Sequence, residues 1–159
     1  TTEKAVKLFE TCWVFTKAEL ESRAEIQDDL YAKAINIEAR TMIDIATKQI
    51  IPAVIKYTTV LAQSINTVKA AGVNEVSVQT DLLKKTSKLL KNTNQAMARL
   101  AKLLEKIKEL PEGEARARYC RDKIVPAMAA LRQPVDELEM IVDKEMWPMP
   151  SYGDLIFEV

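Results

Sequence analysis

The sequence contains no histidine. That removes an imidazole general base, imidazole metal ligands and the Glu-x-x-His pattern of di-iron helical bundles. Glycine occurs three times, at 72, 113 and 153, always isolated, so there is no glycine-rich phosphate loop and no nucleophile elbow. Aromatic residues make up only 6% of the chain. The two cysteines, Cys12 and Cys120, form no paired motif and read as reduced thiols, with a disulfide between them as the lesser alternative. The longest apolar run, residues 50–55, is interrupted by Pro52 and falls far short of the roughly 20 residues that cross a bilayer. No basic segment followed by an apolar core opens the chain, so no signal peptide is read there. Charge of neither sign prevails: 23 basic residues face 23 acidic ones, leaving no global field for nucleic acid or an anionic membrane.

What is present is helical. The composition is 48% hydrophobic, dominated by Ala, Leu and Ile with Lys and Glu, over 159 residues, which suits one all-α domain with a sizeable core. The chain is organised around residues 16–71. This stretch opens on Thr16-Lys17-Ala18-Glu19, a capping box, and closes on Ala70-Ala71-Gly72, where glycine can take the left-handed conformation that ends a helix. Between them Ile35, Ala39, Met42, Ala46, Ile50 and Val54 begin a stripe at steps of three and four that continues to Val68. Pro52 should kink this helix rather than break it, since the stripe passes through it. Asp28-Asp29 is a weaker place to end it, but Leu30, Ala34 and Ile37 carry the pattern onward.

Residues 3–15 carry Ala5, Leu8, Phe9, Cys12 and Trp13 at helical spacing, a short amphipathic helix in which Cys12 and Trp13 read as packing residues. After a connector at 72–76, with Ser77 as N-cap, a second long helix shows three adjacent heptad rows. One holds Leu82, Leu89, Ala96, Leu103 and Leu110, the next Leu83, Leu90, Met97 and Leu104, and the third Thr86, Thr93, Leu100 and Ile107. So wide a stripe should face two neighbours, and the two threonine hydroxyls should bond back to helix carbonyls. Pro111-Glu112-Gly113 turns into a third long helix, residues 114–146, which Pro126 and Pro134 either bend or split, bending being preferred. The tail, 147–159, holds Trp147, Tyr152, Leu155, Ile156 and Phe157, too many apolar residues for a disordered end, and should dock on a surface, in cis or on a neighbour.

These lengths give an elongated up-down-up bundle of three long helices, a short N-terminal helix and an extended aromatic and proline-rich tail. Residues 38–146 form the bundle, 1–37 the short helix and a projecting start of the long one, and 147–159 the docked tail. Lys84, Lys85, Lys88 and Lys91 should lie beside Asp136, Glu137, Glu139, Asp143 and Glu145 of the antiparallel neighbour. That lysine run lacks interleaved aromatics and reads as a solvated face, not a nucleic-acid patch. Glu38, Arg40, Asp44 and Lys48 read as helix-surface charges, Asp44 and Lys48 at i, i+4. No catalytic, cofactor-binding or metal-binding residue is assigned. By itself the chain reads as a structural or interaction module; a free-standing scaffold and a helical ligand-sensing bundle are the alternatives.

Two stretches add a resemblance. Phe15 to Arg23 (Phe-Thr-Lys-Ala-Glu-Leu-Glu-Ser-Arg), Tyr31 to Ala39 (with Ile-Asn-Ile-Glu-Ala) and Gln49 to Val54 resemble the C-terminal region of type III glutamine synthetases. So do Leu138-Glu139-Met140-Ile141-Val142 and the Trp147-Pro148-Met149-Pro150 ending with Tyr152 and Leu155 to Phe157. The resemblance implies a C-terminal accessory helical domain of a large cytoplasmic ligase of nitrogen assimilation, which joins ammonia to glutamate with ATP and a divalent metal such as Mg through a γ-glutamyl phosphate, in stacked hexameric rings. The family's ATP, metal and glutamate residues lie in upstream domains, so no catalytic residue is carried onto this sequence. It further implies that the tail ends the parent chain, that Thr1 is an internal boundary, and that the projecting part of the long helix meets the catalytic body and neighbouring subunits.

Overall fold

The long helix begins where the sequence places its cap. Thr16 Oγ1 accepts from the Glu19 amide at 3.3 Å, and the Glu19 carboxylate accepts from the Thr16 amide at 2.8 Å, so both partners of the capping box are satisfied. In this computed structural model, which describes residues 2–150 and 152–157 with only the backbone at Tyr152, helix α2 then runs Lys17–Ile45. A single π turn, Ala46–Ile50, joins it to α3, Ile51–Ala70. Gly72, at φ 87°, ends the helix in a Schellman motif, its own amide donating to Lys69 O and that of Val73 to Val68 O. The kink expected at Pro52 thus takes the form of a π turn just before it. The proline has no N–H, and its ring would press on the preceding turn; the wider turn relieves both problems.

Ahead of α2, helix α1 spans Glu3–Thr11. Helix α4 is Ser77–Lys106, tightening to a 3₁₀ turn at Ile107–Glu109. Its N-cap is Val76, not Ser77: the buried Val76 anchors the connector, and the Ser77 hydroxyl turns back to the Glu75 carboxylate. Gly113, at φ 77°, starts α5, Glu114–Tyr119, and a second π turn, Cys120–Ile124, leads to α6, Val125–Glu139, which runs unbroken through Pro134. The prolines therefore do not split the third long helix, but it stops at Glu139 and not at Met146. Asp143 is the physical reason: its carboxylate accepts from the Glu145 amide and its carbonyl from the Met146 and Trp147 amides, which starts a separate turn. A short helix α7, Tyr152–Phe157, lies in the tail. No strand occurs among the described residues, and the chain is an all-α up-down-up bundle.

The core has two parts. The first joins α2 to the end of α4 and the start of the third helical limb, through Ala32, Ala39, Leu100, Leu104, Cys120, Ile124 and Leu131. The second joins Ile50 and Val54 to Leu89, Leu138 and Val142, with Trp147 packed on its edge. The threonine row of α4 is the most deeply buried of the three heptad rows. Thr93 donates to Leu89 O at 3.0 Å as expected, whereas the buried Thr86 Oγ1 has no partner. Ala32 belongs to the first core, and a Cβ at Gly113 would lie 3.7 Å from Glu25 Cγ. Packing on α2 thus begins well before residue 38, because α5 reaches back along it.

Helices α4 and α6 pack against each other, but among the described residues no ion pair joins those lysines to those carboxylates. Lys84 instead meets Asp81 at 4.0 Å, and Asp136 meets Arg132 at 3.1 Å. Long solvent-exposed side chains find partners one turn away on their own helix more readily than across a bundle. Asp44 and Lys48 pair as the i, i+4 spacing suggests.

Candidate functional site

Among the described residues no group of three or more Cys, Asp or Glu side chains is placed to hold a metal ion. A polar cleft of about 990 Å³ lies between the start of α2 and the Glu112–Arg121 region. Its lining is mostly acidic, with Glu21, Glu25, Asp28, Glu112 and Glu114 beside Arg118 and Arg121. Arg118 pairs with Glu114 and holds that carboxyl below its usual range, and Arg121 does the same for the neighbouring Asp122. Carboxylates held ionised by arginines are poor proton donors at neutral pH. Glu38 and Arg40 do not form a pair; Arg40 Nε donates to Asn36 Oδ1. Two other features are apolar.

The first is Trp13. By its spacing it reads, with Cys12, as a packing residue; Trp13 is instead 95% exposed, and Cys12 is exposed as well. The cause is the way α1 ends. The Trp13 amide donates to Glu10 O and the Val14 amide to Phe9 O, a Schellman motif in which Trp13 occupies the position that favours glycine, at φ 57°. An L-residue in that conformation costs about 1–2 kcal/mol. The turn is held from beneath: Phe9 and Phe15 meet with ring centroids 5.8 Å apart, Arg23 lies 4.5 Å over the Phe15 ring, and the Lys17 amide donates to Glu10 Oε1. A rigid elbow therefore displays an indole, flanked in sequence by the exposed Cys12 and Val14. A large apolar residue held both strained and exposed is what a docking anchor looks like before its partner arrives. The sequence signal that could have found it is a helix of nine residues ending without glycine before a new N-cap at Thr16.

The second is a cleft of about 440 Å³ between the π turn after α2, helix α6 and the tail, lined by Met42, Ile45, Leu131, Val135, Trp147 and Leu155 among others. Trp147 covers one side, and its indole N–H is buried without an acceptor among the described residues. Leu155, Ile156 and Phe157 of the tail are largely exposed, at 66%, 66% and 82%, and Lys144 ties Asp154 at 2.7 Å. The tail's Ser151, Glu158 and Val159, like Thr1, lie outside the described residues.

These observations define a class first: an all-helical domain whose distinctive groups are exposed apolar residues. Comparison with known proteins narrows it. Residues 1–69 match the model of the glutamine synthetase C-terminal domain. Over 160 residues the chain is 28% identical to the type-3 glutamine synthetase of Dictyostelium discoideum, covering 98% of this chain and 22% of that protein. It is 26% identical to a glutamine synthetase of Butyrivibrio fibrisolvens, over 99% of this chain and 23% of the relative. With a glutamine synthetase of Bacteroides fragilis (strain YCH46) it shares 27% identity over 91% of its length and 20% of the relative's. The chain is similar to these glutamine synthetases and spans about a fifth of their length. The matched segment, residues 1–69, contains Trp13 and all of α2.

Proposed function

We propose that this chain serves as the C-terminal accessory domain of a cytoplasmic glutamate–ammonia ligase, with a packing role and no active site of its own. The parent enzyme would use ATP and a divalent metal. The residues described here do not fit those groups, since no carboxylate cluster is placed for a metal, and no step of the ligation is derived through them. The observation that carries the reading is that the matched segment contains the strained, exposed Trp13. In it the Trp13 elbow docks on the catalytic body or on a neighbouring subunit of the stacked hexameric rings.

The test exploits the strain. Trp13→Gly removes the left-handed penalty and loses no packing, so the melting temperature of the 159-residue chain should stay level or rise slightly. In the longer parent enzyme the same change should weaken ring assembly, measured by light scattering, and reduce ligase activity with it. A parent enzyme whose rings and activity are untouched by Trp13→Gly would sink the docking role. Glutamine formation by the 159-residue chain alone would sink the assignment of the active site to other domains. The absence of a ligase region upstream in the native gene would favour a free-standing scaffold.

A further inference from the structure

The outer face of α2 carries a second apolar stripe that the bundle does not use. On a helix of 100° per residue the packed residues Ala32, Ile35, Ala39, Met42 and Ala46 share one side. Ile26, Leu30 and Ile37 fall on the opposite side and are 54%, 55% and 65% exposed. Arg23 and Asp44 extend this outer stripe at each end, and Thr41 lies within it with its hydroxyl tied back to Ile37 O. A helix apolar on both faces is built to be covered on both.

The order of residues along this stripe says what covers it. Leu30 and Ile37 are equidistant from the point between Lys33 and Ala34; so are Ile26 and Thr41, and so are Arg23 and Asp44. A stripe spaced symmetrically about one point, with opposite charges at its two ends, is complementary to an antiparallel copy of itself, although within the chain Asp44 also pairs with Lys48 and Arg23 also lies over Phe15. We propose that two copies of this chain pair through this face about a twofold axis at Lys33 and Ala34. Leu30 then meets Ile37 of the second copy, Ile26 meets Thr41, and Arg23 meets Asp44, along roughly 30 Å of seam. At the axis the two Lys33 side chains approach one another, and each is already neutralised by Asp29 of its own helix at 2.6 Å. The seam ends where it must, since the π turn starting at Ala46 shifts the helix register just beyond Asp44.

This names a partner for the packing role proposed above. It is measured on the present chain, so its failure leaves docking through Trp13 standing, and the converse also holds. The experiment is sedimentation equilibrium of the 159-residue chain from micromolar to submillimolar concentration. A dimer is expected, with Leu30→Asp and Ile37→Asp each weakening it by about tenfold or more at unchanged helicity by circular dichroism. Arg23→Glu alone and Asp44→Arg alone should weaken it less, and the double variant Arg23→Glu/Asp44→Arg should restore it, because each dimer then holds two reversed pairs. A chain that is monomeric throughout, a dimer indifferent to both aspartates, or a double variant no better than the singles would each overturn the proposal.

Discussion

Thr86 and Thr93 sit one heptad apart in the most buried row of α4, both with no exposed surface, and differ in one respect. The Thr93 hydroxyl donates to Leu89 O at 3.0 Å; the Thr86 hydroxyl has no partner. Valine keeps the β-branched shape and replaces the hydroxyl by a methyl. At position 86 the change removes a buried, unpaired polar atom, which costs about 1–3 kcal/mol, so Thr86→Val should stabilise the chain by that order. At position 93 the same change gives up a hydrogen bond of about 0.5–1.5 kcal/mol net and gains roughly 0.8 kcal/mol of methyl burial, so the two nearly cancel. Near this size 1 kcal/mol moves the melting temperature by about 2–4 °C, so Thr86→Val should melt at least about 2 °C above the parent chain, and Thr93→Val within about 2 °C of it. The measurement is urea and thermal unfolding of the three proteins followed by circular dichroism. Equal effects of the two valines, or a less stable Thr86→Val, would refute the idea that the hydroxyl at 86 is unsatisfied.

Other expectations follow from burial and charge. Leu89→Ala, at 7% exposure in the second core, should cost about 2–5 kcal/mol, whereas Leu8→Ala, 61% exposed, should leave the urea midpoint within error. A thiol reagent should label Cys12 at once and Cys120 only on unfolding, because Cys120 is buried and its burial pushes the thiol up from its usual range; equal labelling rates would contradict the fold around the second π turn. Glu19, Glu105, Glu114 and Asp122 are all held below their ordinary values, Glu19 first by the Thr16 amide and the other three first by hydrogen bonds from Lys108, Arg118 and Arg121. A depressed carboxyl contributes stability above its unfolded value and loses it as pH falls through its folded value. Thermal stability should therefore be flat from about pH 6 to 8, where a chain without histidine titrates little, and decline below about pH 4.5. A melting temperature that changes by several degrees between pH 6 and 8 would contradict this.

Element types were legible in the sequence because caps and stripes are local. The Thr16 box, Gly72, Gly113 and the heptad rows of α4 each specify their own neighbourhood, and the structure forms them. Less legible was anything decided by which partner a side chain reaches. Lys84 had an acidic neighbour on its own helix as well as on the next, and proximity along the helix prevailed. Trp13 looked like core because its spacing fits an amphipathic face; its exposure follows from the left-handed residue that ends α1, a position where sequence pattern expects glycine.

The prolines show the same limit in a form that bears on the proposed pairing. Pro52 and Pro126 each stand two residues beyond a π turn, with Ile51 N bonded to Ala46 O and Val125 N to Cys120 O, while Pro134 lies within α6 with no π turn beside it. The two π sites share the pattern Ile, then Ile or Val, then Pro-Ala, and in both the first isoleucine is buried, Ile50 in one core and Ile124 in the other. A proline alone therefore does not dictate a π turn; one that follows an isoleucine anchored in the core does so twice here, because the anchored residue cannot rotate away and the preceding turn widens instead. Five residues at a wider pitch are invisible to a stripe counted in threes and fours. They nevertheless decide where the outer face of α2 stops: the π turn rotates everything after Asp44 out of line, so the seam closes on the charge that Arg23 of a second copy requires.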